Sequence, residues 1–156
     1  LNINYNILEN KKFSKTSYEL LTKDTKEKLE FGEYLHYLLE TIDFLNPDLT
    51  MIDNKYKKFF INFFNSKLLS NLNNTSIYKE YEFSYEDNNT IKHGIIDLMI
   101  EHDTYIDIID YKLKNISDDK YKEQLLGYKD YIKTKTNKNI NLYLYSIIDG
   151  VYLQIE

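Results

Sequence analysis

The stretch Ile91 to Lys114, IKHGIIDLMIEHDTYIDIIDYKLK, constrains this chain more than any other. Two runs rich in β-branched and apolar residues, HGIIDLMI and YIDIIDYKL, flank a polar break at Glu101 to Thr104, which is the signature of a β-hairpin. A pairing centred between Asp103 and Thr104 sets Asp97 directly across from Asp110. Side chains alternate faces along a strand, so Asp110 and Lys112 then point one way while Ile109, Tyr111 and Leu113 point the other. Two acids and one lysine share a patch. Like charges directly opposed on a sheet are destabilising, so a fold that keeps such a pair calls for a cation, and metal binding is the natural reading. Asp-Thr is not a favoured two-residue turn, and a bulge there would shift the register by one or two positions. Spacing alone also allows Asp97 and Asp110 to be solvent-face residues of an amphipathic hairpin. Ile96, Leu98, Ile106 and Ile108 argue instead for strands buried on both faces, where unpaired acids are rare.

Elements on either side of the hairpin read as helices and further strands. Thr25 to Leu45 carries Leu29, Gly32, Leu35, Leu38, Leu39, Ile42 and Leu45 at helical spacing and stops before Asn46-Pro47. Gly32, His36 and Glu40 fall on one stripe of it. Asn54 to Leu72 is a second helical stretch, with Phe59, Phe60, Phe63, Phe64 and Leu68 expected in the core. Ile77 to Glu86 reads as a strand, followed by an Asn88-Asn89 turn. Asp118 to Tyr131 is a helix opened by a Ser117/Asp118 cap, and Gln124 and Tyr128 share a face at i and i+4. Ile140 to Ile147 and Val151 to Ile155 are strands around the turn Asp149-Gly150. Residues 1 to 16 are polar and irregular, and are expected to form a seam preceding one domain over residues 17 to 156.

Bulk properties narrow the function classes. A chain of 156 residues is long enough to bury about 68 to 70% of its unfolded surface. With no cysteine it can form no disulfide, thiolate zinc site or iron-sulfur cluster. No run of 18 apolar residues and no basic-then-apolar leader occurs, so no membrane is expected and the chain reads as cytoplasmic. It begins at Leu1, which predicts a piece of a longer protein. The net charge of −5 does not favour phosphate contacts, but eight lysines face four acids between Lys112 and Lys138, beside the hairpin acids. There is no arginine, so any grip on phosphate uses lysine point charges rather than bidentate forks.

Together GIIDLMI, IIDYKLK and EQLLGY are similar to the nuclease domain of the RecB/AddA-type helicase-nucleases, a branch of the PD-(D/E)xK superfamily. The resemblance runs through four blocks in the same order, from GEYLHYLLE near residue 32 to LYLYSIIDG near residue 142. It implies an α/β restriction-endonuclease-like fold: a mixed sheet that starts with three antiparallel strands and continues through a helix into further strands, flanked by helices, with an N-terminal helical segment. It further implies hydrolysis of DNA phosphodiesters with Mg²⁺, for which Mn²⁺ could substitute. By the same resemblance Asp97, Asp110, the backbone carbonyl of Tyr111 and the imidazole of His36 are the expected metal ligands. Lys112 is the expected catalytic cation, and Gln124 and Tyr128 orient substrate or Lys112. Glu80 either matches an acid of the family or is a plain solvent-side glutamate, and Glu40 is a further accessory candidate. Some relatives carry a four-cysteine cluster, which this chain cannot build. The expected partners are DNA, an ATP-dependent helicase domain upstream in the parent chain, and a second helicase-nuclease subunit. A free-standing nuclease on other nucleic acid, or a non-cleaving DNA-binding domain of the same fold, are the alternatives.

Overall fold

The computed structural model describes residues 23–156 apart from residue 115, so the expected seam over residues 1–16 lies outside the described residues. Helix α1 (Lys23–Thr41) buries Leu35 and Leu39, with Phe31 and Leu38 packed beside them. It stops four residues short of the expected Leu45. Asp43 explains the early end: its carboxylate accepts the Leu45 N–H at 2.9 Å, a local turn that competes with the helical ladder. Leu45 is consequently exposed rather than on the packed stripe.

Helix α2 (Asn54–Phe64) is capped by Asp53, whose side chain accepts from the Lys55 N–H. It was expected to reach Leu72 and ends eight residues earlier. Ser66 caps a separate 3₁₀ turn, Lys67–Leu69, by accepting the Leu68 N–H at 3.2 Å, and this local polar bond overrides the apolar spacing of Leu68, Leu69 and Leu72. The phenylalanines do form core, as expected: Phe63 meets Tyr111 at 5.3 Å and Tyr145 at 4.9 Å between ring centroids, both edge-on.

Strands β1 (Ser76–Asp87), β2 (Thr90–Glu101) and β3 (Tyr105–Lys112) are followed by helix α3 (Asp119–Lys133), then β4 (Asn139–Ser146) and β5 (Val151–Gln154). They form one mixed α/β sheet in the order β1-β2-β3-β4-β5. Only the β3–β4 pair is parallel, as the intervening α3 crossover requires. Asn88 and Asn89 both take positive φ, the conformation a two-residue hairpin turn demands, and Gly150 does so in the last turn. Residues from α1 and α2 cover one face of the sheet, and residues from α3 the other. No described helix is long and apolar enough to cross a membrane.

The central hairpin has the register expected from the sequence, with Leu98 opposite Ile109 and Met99 opposite Ile108. The Asp103-Thr104 turn closes without a bulge, the His102 N–H donating to the Tyr105 carbonyl at 2.8 Å. Pairing between β2 and β3 ends at Leu98, and there the sheet does something that strand alternation does not anticipate. On β1, Ile77 packs toward α1 and α2 and Lys79 donates to the Ile42 carbonyl on the same side, whereas Tyr81, Phe83 and Tyr85 pack toward α3. On β2, Leu98 and Ile100 face α1 and α2, but Ile96 faces α3. A regular strand would keep each of these sets on one side. Both strands therefore reverse faces at the facing residues Glu80 and Asp97, which the β1–β2 ladder skips. Glu80 has φ +50°, the left-handed region that a non-glycine residue enters only under constraint.

Beyond the reversal the β1–β2 ribbon leans on α3 through Phe83, which stacks on Tyr131 at 4.2 Å and meets Tyr128 edge-on at 5.6 Å. Phe83 also covers Gly94 across the ladder, where an added Cβ would stand 2.3 Å from its Cζ. Tyr128, Tyr131 and Tyr85 all lie against the ring and oppose its displacement. Gly94→Ala is expected to destabilise the fold by about 1 to 3 kcal/mol, the usual range for overpacking. A lower urea midpoint at unchanged slope is the expected reading, and an unchanged midpoint would show that the ring can move aside.

Candidate active site

The face reversal brings together groups from three elements. Asp97 sits on β2 where the β3 ladder stops, and its Oδ2 accepts the Tyr111 N–H at 2.8 Å, so a carboxylate takes the place of the next backbone partner. A strand residue presents its N–H and C=O to the same neighbour, so the Tyr111 carbonyl is turned toward the same gap. From α1, His36 enters with Nδ1 at 3.2 Å from Glu80 Oε1 and 3.5 Å from Asp97 Oδ1. One donor atom from each of His36, Glu80 and Asp97 lies within 4.8 Å of the others. Asp110 follows on β3, its Oδ2 at 2.8 Å from Lys112 Nζ. Asp97 and Asp110 are each 1% exposed and Lys112 2%, so the alternative that these acids are solvent-face residues is excluded.

Burial sets the electrostatics. The Asp97 carboxyl is pushed well above the ordinary carboxylate range, first by desolvation and then by the charges of Asp110 and Glu80, with Lys112 opposing. Lys112 is shifted the other way from what burial alone would do: desolvation disfavours its charge, but the charge and hydrogen bond of Asp110, then Asp97 and Tyr121, raise its pKa above the ordinary value. The ammonium stays charged. Lys112 thus meets Asp110 directly and feels the charge of Asp97, while Glu80 acts on Asp97 from the side of His36.

Helix α3 covers the site. Its Asp118 cap accepts the Lys120 N–H at 2.9 Å, as the sequence predicts, and it carries Gln124 and Tyr128, both buried. The Tyr128 hydroxyl faces the Ile95 backbone and the Gln124 side chain; burial above all, then the charges of Asp110 and Asp97, pushes its pKa far up, so it stays protonated. The expected pair is therefore brought to the acids. Glu80, which the sequence left open, joins the cluster, whereas Glu40, one turn beyond His36, is exposed on α1 and outside it. The sequence reading overlooked Tyr121. Its ring lies under Lys112, Nζ standing 4.1 Å from the centroid, and its place three residues before Gln124, on the same helix flank, was the available signal.

The donor set fits a hard divalent cation. Carboxylate oxygens and a backbone carbonyl suit Mg²⁺ or Mn²⁺, and the imidazole nitrogen of His36 is a donor that Mn²⁺ accepts more readily. The raised Asp97 pKa points the same way, since a buried acid crowded by two others is the group whose ionisation a bound cation would restore. The chain matches no protein-family model and no curated protein.

Proposed function

We propose that this chain is a metal-dependent deoxyribonuclease of the restriction-endonuclease-like fold, hydrolysing DNA phosphodiester bonds as the end-processing module of an ATP-dependent helicase-nuclease in recombinational repair. One observation carries the reading: Asp97, Asp110 and Lys112 are buried together, with His36 and Glu80 beside them, at the point where the sheet reverses faces. Such a cluster is costly to keep without a use. A domain that bound DNA without cutting it would gain stability by exchanging these residues for apolar ones, because buried ion pairs seldom repay their desolvation.

His36, Glu80, Asp97, Asp110 and the Tyr111 carbonyl would hold the cation. Once bound, a Mg²⁺ or Mn²⁺ ion supplies Lewis acidity toward a phosphate oxygen and lowers the pKa of a water. Lys112 offers a fixed positive charge to the negative charge that develops on the phosphoryl oxygens, in a setting dry enough for that charge to act at full strength. Gln124 and Tyr128 supply neutral hydrogen-bonding groups beside it. End-labelled DNA incubated with the protein should shorten in Mg²⁺ or Mn²⁺ and stay intact in chelator. DNA left uncut under all divalent conditions would remove the reading.

A further inference from the structure

We propose that Tyr121 is a positioning residue for Lys112, a role that rests on the nuclease reading for its consequence but on geometry for its existence. Lys112 extends from the last residue of β3, and its four-carbon stem gives the ammonium many rotamers of similar energy. Two contacts restrict it. Asp110 Oδ2 lies at 2.8 Å on one side, and the Tyr121 ring lies with its centroid 4.1 Å away, within the range of a cation–π contact. With the lysine only 2% exposed, water does not compete for either contact.

The two restraints differ in what happens when the site is used. On the nuclease reading Asp110 would also serve as a ligand of the cation, and the more of its charge the cation took, the less it would hold the ammonium. The ring of Tyr121 is neutral, so it neither binds the cation nor consumes the charge that Lys112 must offer the phosphate. It is also fixed independently of the acids. Tyr121 stands in the first turn of α3, where its N–H donates to the Asp118 carbonyl at 3.1 Å, and its ring packs on the core between α3 and the sheet. Tyr121 therefore holds Lys112 in place by a contact that would not weaken if Asp110 gave its charge to a cation.

Two variants separate this role from plain packing: Tyr121→Phe keeps the ring, and Tyr121→Leu keeps only apolar bulk. The first readout uses metal-free protein labelled at lysine, in which the ε-methylene protons of Lys112 should be shifted upfield by the ring current in wild type and Tyr121→Phe, and should return to the ordinary lysine position in Tyr121→Leu. The second is turnover of end-labelled DNA at saturating Mg²⁺. There Tyr121→Phe should stay within about twofold of wild type and Tyr121→Leu should lose about 5- to 30-fold in kcat at unchanged KM, the range a desolvated cation–π contact supports. An unshifted Lys112 methylene in wild type overturns the proposal, as does a Tyr121→Leu protein that keeps wild-type kcat. If Tyr121→Leu does not fold, the wild-type shift still decides. A wild type that cuts no DNA refutes the nuclease reading, while the resonance shift judges Tyr121 on its own.

Discussion

Asp110→Asn and Lys112→Met are each expected to slow DNA hydrolysis by about 10²- to 10³-fold, the loss seen when one preorganised charge is removed from a site of this kind. Asp110 would be one of the cation's oxygen ligands and Lys112 the group facing the developing phosphoryl charge, so neither loss can be made good by the other. Their effects on folding should differ. Asparagine keeps the shape of Asp110 and an oxygen that can still accept from the Lys112 ammonium, while removing one of three crowded carboxylates. Methionine keeps the reach of Lys112 but removes the ammonium that pairs with Asp110 and offsets the charge of Asp97. Breaking one side of a buried pair typically costs about 3 to 5 kcal/mol, so Lys112→Met should melt well below wild type in chelator and recover part of the difference in Mg²⁺. Single-turnover cleavage rates beside melting curves separate lost chemistry from lost fold. A correctly folded variant that cuts within a few-fold of wild type would exclude its residue from the chemistry.

The hairpin register was legible in the turn. The polar break at Glu101 to Thr104 centres the turn on Asp103-Thr104, and that centring sets Leu98 against Ile109 and brings Asp97 to the level of Asp110. Strand alternation hid the role of Glu80. Uninterrupted alternation gives Glu80 no reason to differ from its neighbours, and nothing in the string IYKEYEFSYE announces a left-handed residue; the reversal is enforced by what β1 and β2 pack against, α1 and α2 on one side and α3 on the other. Glu40 failed in the opposite sense. It shares a helical stripe with His36, but α1 touches the sheet through Leu35, His36 and Leu39, and one further turn carries Glu40 into solvent. The contact between His36 and Glu80 spans 44 residues of chain, and no local pattern encodes a meeting at that separation. Helix ends were misjudged where Asp43 and Ser66 form short polar turns, because apolar periodicity runs on past them.

Asp97→Asn should separate stability from function in one experiment. The folded-state pKa of Asp97 lies above its unfolded value of about 3.9, so its contribution to stability is fully present below that value and is lost as pH rises through the folded pKa. Metal-free wild type should therefore lose stability steadily from about pH 4 upward, and Asp97→Asn should show a flatter profile over the same interval. At neutral pH in chelator the variant should melt above wild type, because opposed like charges cost about 0.2 to 1 kcal/mol and each kcal/mol is worth about 2 to 4 °C in a protein of this size. Divalent metal should invert the order. A ligand that binds only the folded state stabilises by about 2.7 kcal/mol at a hundredfold excess over its Kd, so wild type should gain about 5 to 10 °C in Mg²⁺ while Asp97→Asn gains little. That gain should shrink as the pH is lowered, since protons compete with the cation for the same carboxylate. Packing alone would give two proteins with the same response to Mg²⁺, and equal shifts would take Asp97 out of the ligand set and leave its burial beside Asp110 without a purpose.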